Sequence, residues 1–183
     1  NLFMNNNYIT ALRDPESPQD AATKKYVDNK KSYSGYIPVL EANFSCLGFT
    51  ASSSTVSTTK HQPFGAFNLN SDMDNGSWVS ALNNTTGWLQ IKCPERIKIW
   101  RIALKARKID GRDITSWNLT ASNDATSFTT LINSTTVLTG SATAPTFIEV
   151  TASESYQYYR LNITSSIGSP DVGVQLLQLY IMN

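Results

Sequence analysis

The sequence predicts an all-β domain, a sandwich or a barrel, behind a short N-terminal neck that carries one helix. Three observations predict it. From Val39 onward, short apolar runs alternate with Ser/Thr/Asn/Gly clusters, the pattern of strands joined by polar turns. The stretch Gly87 to Arg107, GWLQIKCPERIKIWRIALKAR, reads as two apolar-rich strands around a turn at Pro94-Glu95. A helix-start signal, Ser17-Pro18 followed by Asp20, stands upstream of both.

Taken in order, Asn1 to Leu12 reads as short extended segments broken by Asn5-Asn6-Asn7, because Asn competes locally with regular hydrogen bonding. Ser17 then caps a helix over about Pro18 to Asn29. Asp20 falls in the first turn and Lys24, Lys25, Lys30 and Lys31 crowd the later ones, as the helix dipole favours. Its apolar stripe is thin, Ala22 and Tyr26 with Val27 or Ala21, so it needs a partner. Gly35, Pro38 and the flanking serines break the helix and set the boundary: residues 1–36 as neck, 37–183 as sandwich head.

Within the head the expected strands are Asn43–Phe49, Trp88–Lys92, Ile97–Lys105, Ser116–Ser122, Thr146–Val150, Tyr158–Thr164 and Gln175–Met182. Phe128, Leu131, Ile132, Val137 and Leu138 mark further edge strands inside a Ser/Thr-rich stretch. Leu89 and Ile91 alternate with Gln90 and Lys92, so the first central strand has one wet face. The second is apolar on both faces, which fits a central strand covered on both sides. Tyr158 and Tyr159 point to opposite faces, one into the core and the other outward.

Composition excludes whole classes of function. With 15 Lys+Arg against 14 Asp+Glu, and only 16% charged residues, there is no electrostatic footprint for nucleic acid. No apolar run is long enough for membrane insertion. One histidine, His61, and the absence of Gly-x-Ser-x-Gly, His-Glu-x-x-His and P-loop patterns leave the usual catalytic constellations without material, so an enzyme is not expected. Cys46 and Cys93 lack metal-binding spacing and read as two buried thiols, with a disulfide as the alternative. The chain opens on Asn1 and is expected to be a piece of something longer.

Two resemblances sharpen this reading. DPESPQDAATKKYVDNK, within Ala11 to Lys31, resembles a segment of viral and bacteriophage tail-fibre and receptor-binding proteins. That resemblance implies a homotrimeric neck just before a distal domain. The second is carried by FTASSS (49–54), AFNLN (66–70), SWVS (77–80), GWLQIK (87–92), IKIWRIALKAR (97–107), DGRDITSWNLTASND (110–124), SYQYYRLNIT (155–164) and VQLLQLYIM (174–182). Their order is similar to the discoidin, or coagulation factor type C, family with its galactose-binding-like jelly roll. It implies Trp88 and Trp117 in or beside the core and a ligand site on loops at one end.

In sugar-binding members an arginine closing a strand before an Asp-Gly loop holds a hydroxyl or carboxylate, and Arg107 before Asp110-Gly111 stands there. A planar five-donor fork suits that task. Trp78, Asp110, Arg112, Asn123 and Asp124 complete the expected ligand site, although Val79 replaces the histidine that many sugar binders place after the loop tryptophan. For the family's structural calcium, Asn68, Asn70 and Gln178 occupy the ligand positions, but Leu69 replaces a glycine and two carboxylates are lost, so the site is weak and no other cofactor is implied. The expected function is attachment to a host-surface glycan or glycoprotein by the head of a homotrimeric viral or phage fibre, at the virion surface. A structural fibre tip and an accessory carbohydrate-binding module of a larger enzyme are the alternatives.

Overall fold

A computed structural model describes residues 35–43, 47–69, 76–109 and 112–182; the neck helix expected over 18–29 lies outside them. The described residues form two antiparallel sheets packed face to face. The five-stranded sheet has the order β1-β3-β8-β5-β6, from strands Thr50–Ser53, Gly87–Ile97, Tyr156–Ile167, Asp113–Ser122 and Thr129–Ser134. The four-stranded sheet has the order β2-β9-β4-β7, from Trp78–Val79, Gly173–Ile181, Ile99–Ala106 and Thr146–Glu149. The all-β sandwich expectation holds.

Alternation decides what faces the partner sheet. Leu89 and Ile91 of β3, Tyr159, Leu161 and Ile163 of β8, and Trp117, Leu119 and Ala121 of β5 point inward and are buried. They meet Ile99, Ile102 and Leu104 of β4 and Val174, Leu177 and Leu179 of β9 in one apolar core. Burying each Leu, Ile or Val side chain contributes about 1.5–3 kcal/mol, so this interleaving is the main stabilising term. Tyr159 is the core member of its pair, its hydroxyl donating to the Ile97 carbonyl, while Tyr158 faces outward.

Two expectations need correction. Gly87–Ile97 is one strand, irregular between Lys92 and Ile97, and does not turn at Pro94-Glu95. The chain instead changes sheets at Lys98, because β3 and β4 belong to opposite layers. The first described strand is Thr50–Ser53, with Phe49 buried just before it, while the strand expected over Asn43–Phe49 lies partly outside the described residues. Trp117 is in the core, but Trp88 is half-buried on the outer face of the five-stranded sheet, where the pleat puts it next to Gln90 and Lys92. A 3-10 turn, Pro63–Phe67, adds Ala66 and Phe67 to the core. Among the described residues no helix is long and apolar enough to cross a membrane.

Candidate functional site: an arginine pair at one end of the sandwich

The end of β4 and the start of β9 define one rim of the sandwich. Arg107 N–H donates to the Gly173 carbonyl at 3.0 Å, and Ile109 N–H folds back onto the Arg107 carbonyl at 2.7 Å. Gly173 is required by close approach: a Cβ there would sit 2.9 Å from Arg107 Cβ and 3.2 Å from the Trp78 carbonyl oxygen. The stem of Arg107 therefore lies across the bare backbone of β9. Its Nη2 reaches 3.5 Å from Nε2 of His61, a buried ring whose backbone carbonyl accepts from Val79 N–H.

A second guanidinium faces the same rim. Arg112 Nη1 pairs with Asp171 Oδ1 at 3.1 Å, and Ser169 Oγ donates to that oxygen at 2.9 Å. Asp171 N–H in turn donates to Ser169 Oγ at 3.2 Å, so the turn before β9 holds the carboxylate that aims Arg112. Arg107, Arg112, Asp171 and Gly173 border a small depression of about 10 Å³, closed on its flank by Ile114 and Ile167. Asp113 also lines it, with Oδ1 accepting from Gly140 N–H at 2.9 Å. Two guanidinium groups and one ion-paired carboxylate line this depression, side-chain chemistry of the kind that recognises hydroxyls or a carboxylate on a ligand.

The sequence placed six residues in one site, and the structure does not gather them there. Arg107 and Arg112 come together; Asp110 lies outside the described residues. Trp78 is fully buried, with Nε1 donating to the Thr55 carbonyl at 2.8 Å, so it supports the rim from within. Asn123 and Asp124 follow the far end of β5, nine residue steps and about 30 Å from Asp113. Asn123 Oδ1 accepts from Gln157 N–H at 3.0 Å. Asp124 Oδ1 accepts from Ser122 Oγ and from the Thr126 and Ser127 N–H groups, which hold its carboxyl well below the usual range. Both organise a distant loop. His61 and Asp171 were missed, though Ser169-Pro170-Asp171 was visible as a turn signal next to a strand.

The calcium positions do not fit the ion. Asn70 lies outside the described residues, and Asn68 terminates the 3-10 turn. Gln178 is neutral and buried, its Nε2 donating to the Ile37 carbonyl at 2.9 Å. Leu69, standing where the resemblance has glycine, adopts a left-handed φ of 58°. Among the described residues no three His, Cys, Asp or Glu side chains cluster to hold a metal.

Comparison with known proteins places this geometry in context. The family profile described as F5/8 type C domain matches residues 48–174. Solved structures with the same fold include chitosan-binding module 2, in complex with chitotriose, derived from a chitosanase/glucanase of Paenibacillus sp. IK-5. It is 21% identical, with a TM-score of 0.59 over 72% of this chain and 95% of that one. CpGH89CBM32-5 from Clostridium perfringens, in complex with GalNAc-beta-1,3-galactose, is 12% identical, with a TM-score of 0.61 over 72% and 94%. The CBM32 of AlyQ, in complex with 4,5-unsaturated mannuronic acid, is 14% identical, with a TM-score of 0.55 over 74% and 95%. No curated protein sequence matches the chain.

Proposed function

The chain belongs to the F5/8 type C family, and from that premise we propose that it is a non-catalytic saccharide-binding domain. The observation that carries the proposal is that Arg107 and Arg112 come together around a small surface depression at one rim of the sandwich. The saccharides named with the three similar structures differ, so they support the ligand class and not one sugar. We further propose that the domain is the distal head of a homotrimeric viral or phage fibre at the virion surface, attaching to a host glycan or glycoprotein. The neck-like DPESPQDAATKKYVDNK segment supports that context. Three heads on one neck turn weak contacts into avidity. A second reading, an accessory module of a larger enzyme, is supported by the chitosanase/glucanase origin of one similar structure.

A glycan array with the whole chain and with Arg107→Ala tests the site. Signal on at least one glycan, lost by tenfold or more in the variant, is expected from removing charge-assisted hydrogen bonds of about 1.5–3 kcal/mol. Equal signal from both proteins removes Arg107 from the site. Light scattering should give three copies of the 20.2 kDa chain, and a monomer overturns the trimer.

A further inference from the structure

We infer that the outer face of the five-stranded sheet carries a second ligand site, built on Arg160, that takes the carboxylate of an acidic saccharide. It rests on the saccharide-binding reading only for the choice of carrier. Arg160 projects outward from the middle of β8, opposite Gln90 of β3 and Thr120 of β5. Its guanidinium lies between two rings, 4.4 Å from the Trp88 centroid and 4.0 Å from that of Phe128. Phe128 is delivered by the loop that Asp124 folds. Nε donates to Gln90 Oε1 at 2.9 Å. One donor and the plane of the fork are thus fixed, while the Nη groups make no hydrogen bond or ion pair among the described residues.

The opposite sheet shows what completes such a stack. Arg101 lies 4.4 Å from the Trp100 ring and 5.7 Å from Phe147, and Glu149 closes it with an ion pair at 2.7 Å. Arg160 has the two rings and lacks the acid. None of its outward neighbours on the sheet, Trp88, Gln90, Lys92, Tyr158, Asn162 or Thr120, is an acid, and the carboxylate of the adjoining loop, Asp124, is bonded to Ser122, Thr126 and Ser127 and forms no ion pair with Arg160. A fork held flat with its ordering cost already met favours a bidentate anion. Asn162 donates to Asn118 Oδ1 and Thr120 Oγ1, which leaves the half-buried Asn118 amide N–H and Asn162 carbonyl beside the fork to suit the hydroxyls of a sugar ring. A polyanion such as nucleic acid needs a row of cations, which 15 Lys+Arg against 14 Asp+Glu do not supply. The site is separate from Arg107: seven residue steps of β8, about 23 Å, run from Arg160 to Ile167 at the rim.

Nitrogen-15 NMR of the whole chain tests it, read at the Trp88 indole N–H and the Arg160 Nε–H. Trigalacturonate and 3′-sialyllactose are the two sources of carboxylate, with galactotriose and lactose as neutral controls. At least one acidic probe should move both signals at millimolar concentration while the neutral sugars do not, and added salt should weaken the effect. Arg160→Gln should weaken binding by about tenfold or more, and Arg107→Ala should leave these shifts unchanged. If Arg160→Gln fails to fold by circular dichroism, Arg160→Lys, which keeps the charge and loses the planar fork, is held to the same criterion. Silence from both acidic probes, wild-type affinity in the variant, or loss in Arg107→Ala overturns the site. Equal shifts with inorganic phosphate overturn the saccharide claim. Failure of the rim site alone would show as unchanged array signal in Arg107→Ala with the Arg160 shifts intact.

Discussion

Replacing Trp78 by Phe separates a scaffold tryptophan from a sugar platform. The side chain is fully buried and bonded through Nε1 to the Thr55 carbonyl at 2.8 Å, and a Cβ on Gly87 would come within 3.3 Å of its ring. Phe keeps the aromatic fill but deletes the donor, worth about 1 kcal/mol. It also removes apolar volume equivalent to one or two methylenes, at about 0.8 kcal/mol each. The sum is about 2–3 kcal/mol, a large part of the 5–15 kcal/mol typical of a domain. For a domain of this size that lowers Tm by roughly 4–12 °C, at about 2–4 °C per kcal/mol. Urea titration followed by circular dichroism measures the loss, and a binding isotherm on the same sample measures the ligand. Stability should fall with affinity changed less than threefold. A variant within 0.5 kcal/mol of wild type that binds tenfold more weakly would make Trp78 a ligand contact and refute its scaffold role.

Two further predictions follow from titratable groups outside the rim. Main-chain and hydroxyl donors lower the Asp124 pKa in the folded state relative to the unfolded chain, so the stability it adds is present above about pH 5 and is lost as pH falls below about 4. Asp124→Asn keeps the geometry without the charge, so its deficit in urea midpoint should be present at pH 7 and shrink toward pH 3; a pH-independent deficit refutes the charge argument. Burial pushes the Cys93 thiol up, away from thiolate. In a Cys46→Ser background Ellman's reagent at pH 8 should label Cys93 only after denaturation, and rapid labelling of the native protein contradicts its burial.

How much of this was legible depends on which physical signal each feature leaves in the chain. Period-2 alternation reports the face of a strand, so Leu89 and Ile91 inward against Gln90 and Lys92 outward were readable. Alternation does not report which sheet a strand joins, and that is why the crossing at Lys98 looked like a hairpin turn at Pro94-Glu95. A two-residue strand such as Trp78–Val79 leaves no period at all. Trp78 was placed on a ligand loop by the family resemblance alone, whereas its burial comes from the distant Thr55 and Gly87.

The error over Asn123 and Asp124 is of another kind, because the information was present. Successive antiparallel strands reverse direction, so the loops before and after one strand lie at opposite ends. Arg107 precedes β5 and Asp124 follows it, which by parity alone forbids a shared site for any ligand much shorter than the strand. The same parity brings the turn before β9 back to the Arg107 end, and Asp171 with it. Arg160 escapes the rule, since it sits in mid-strand where loop logic has nothing to say. Its cue was a cation alternating outward between Tyr158 and Asn162, yet the pattern shows neither the rings of Trp88 and Phe128 nor the absence of an acid. Those are cross-strand facts, fixed by register, and only register shows that a fork aimed at solvent has been held in place with its anion left to come from outside.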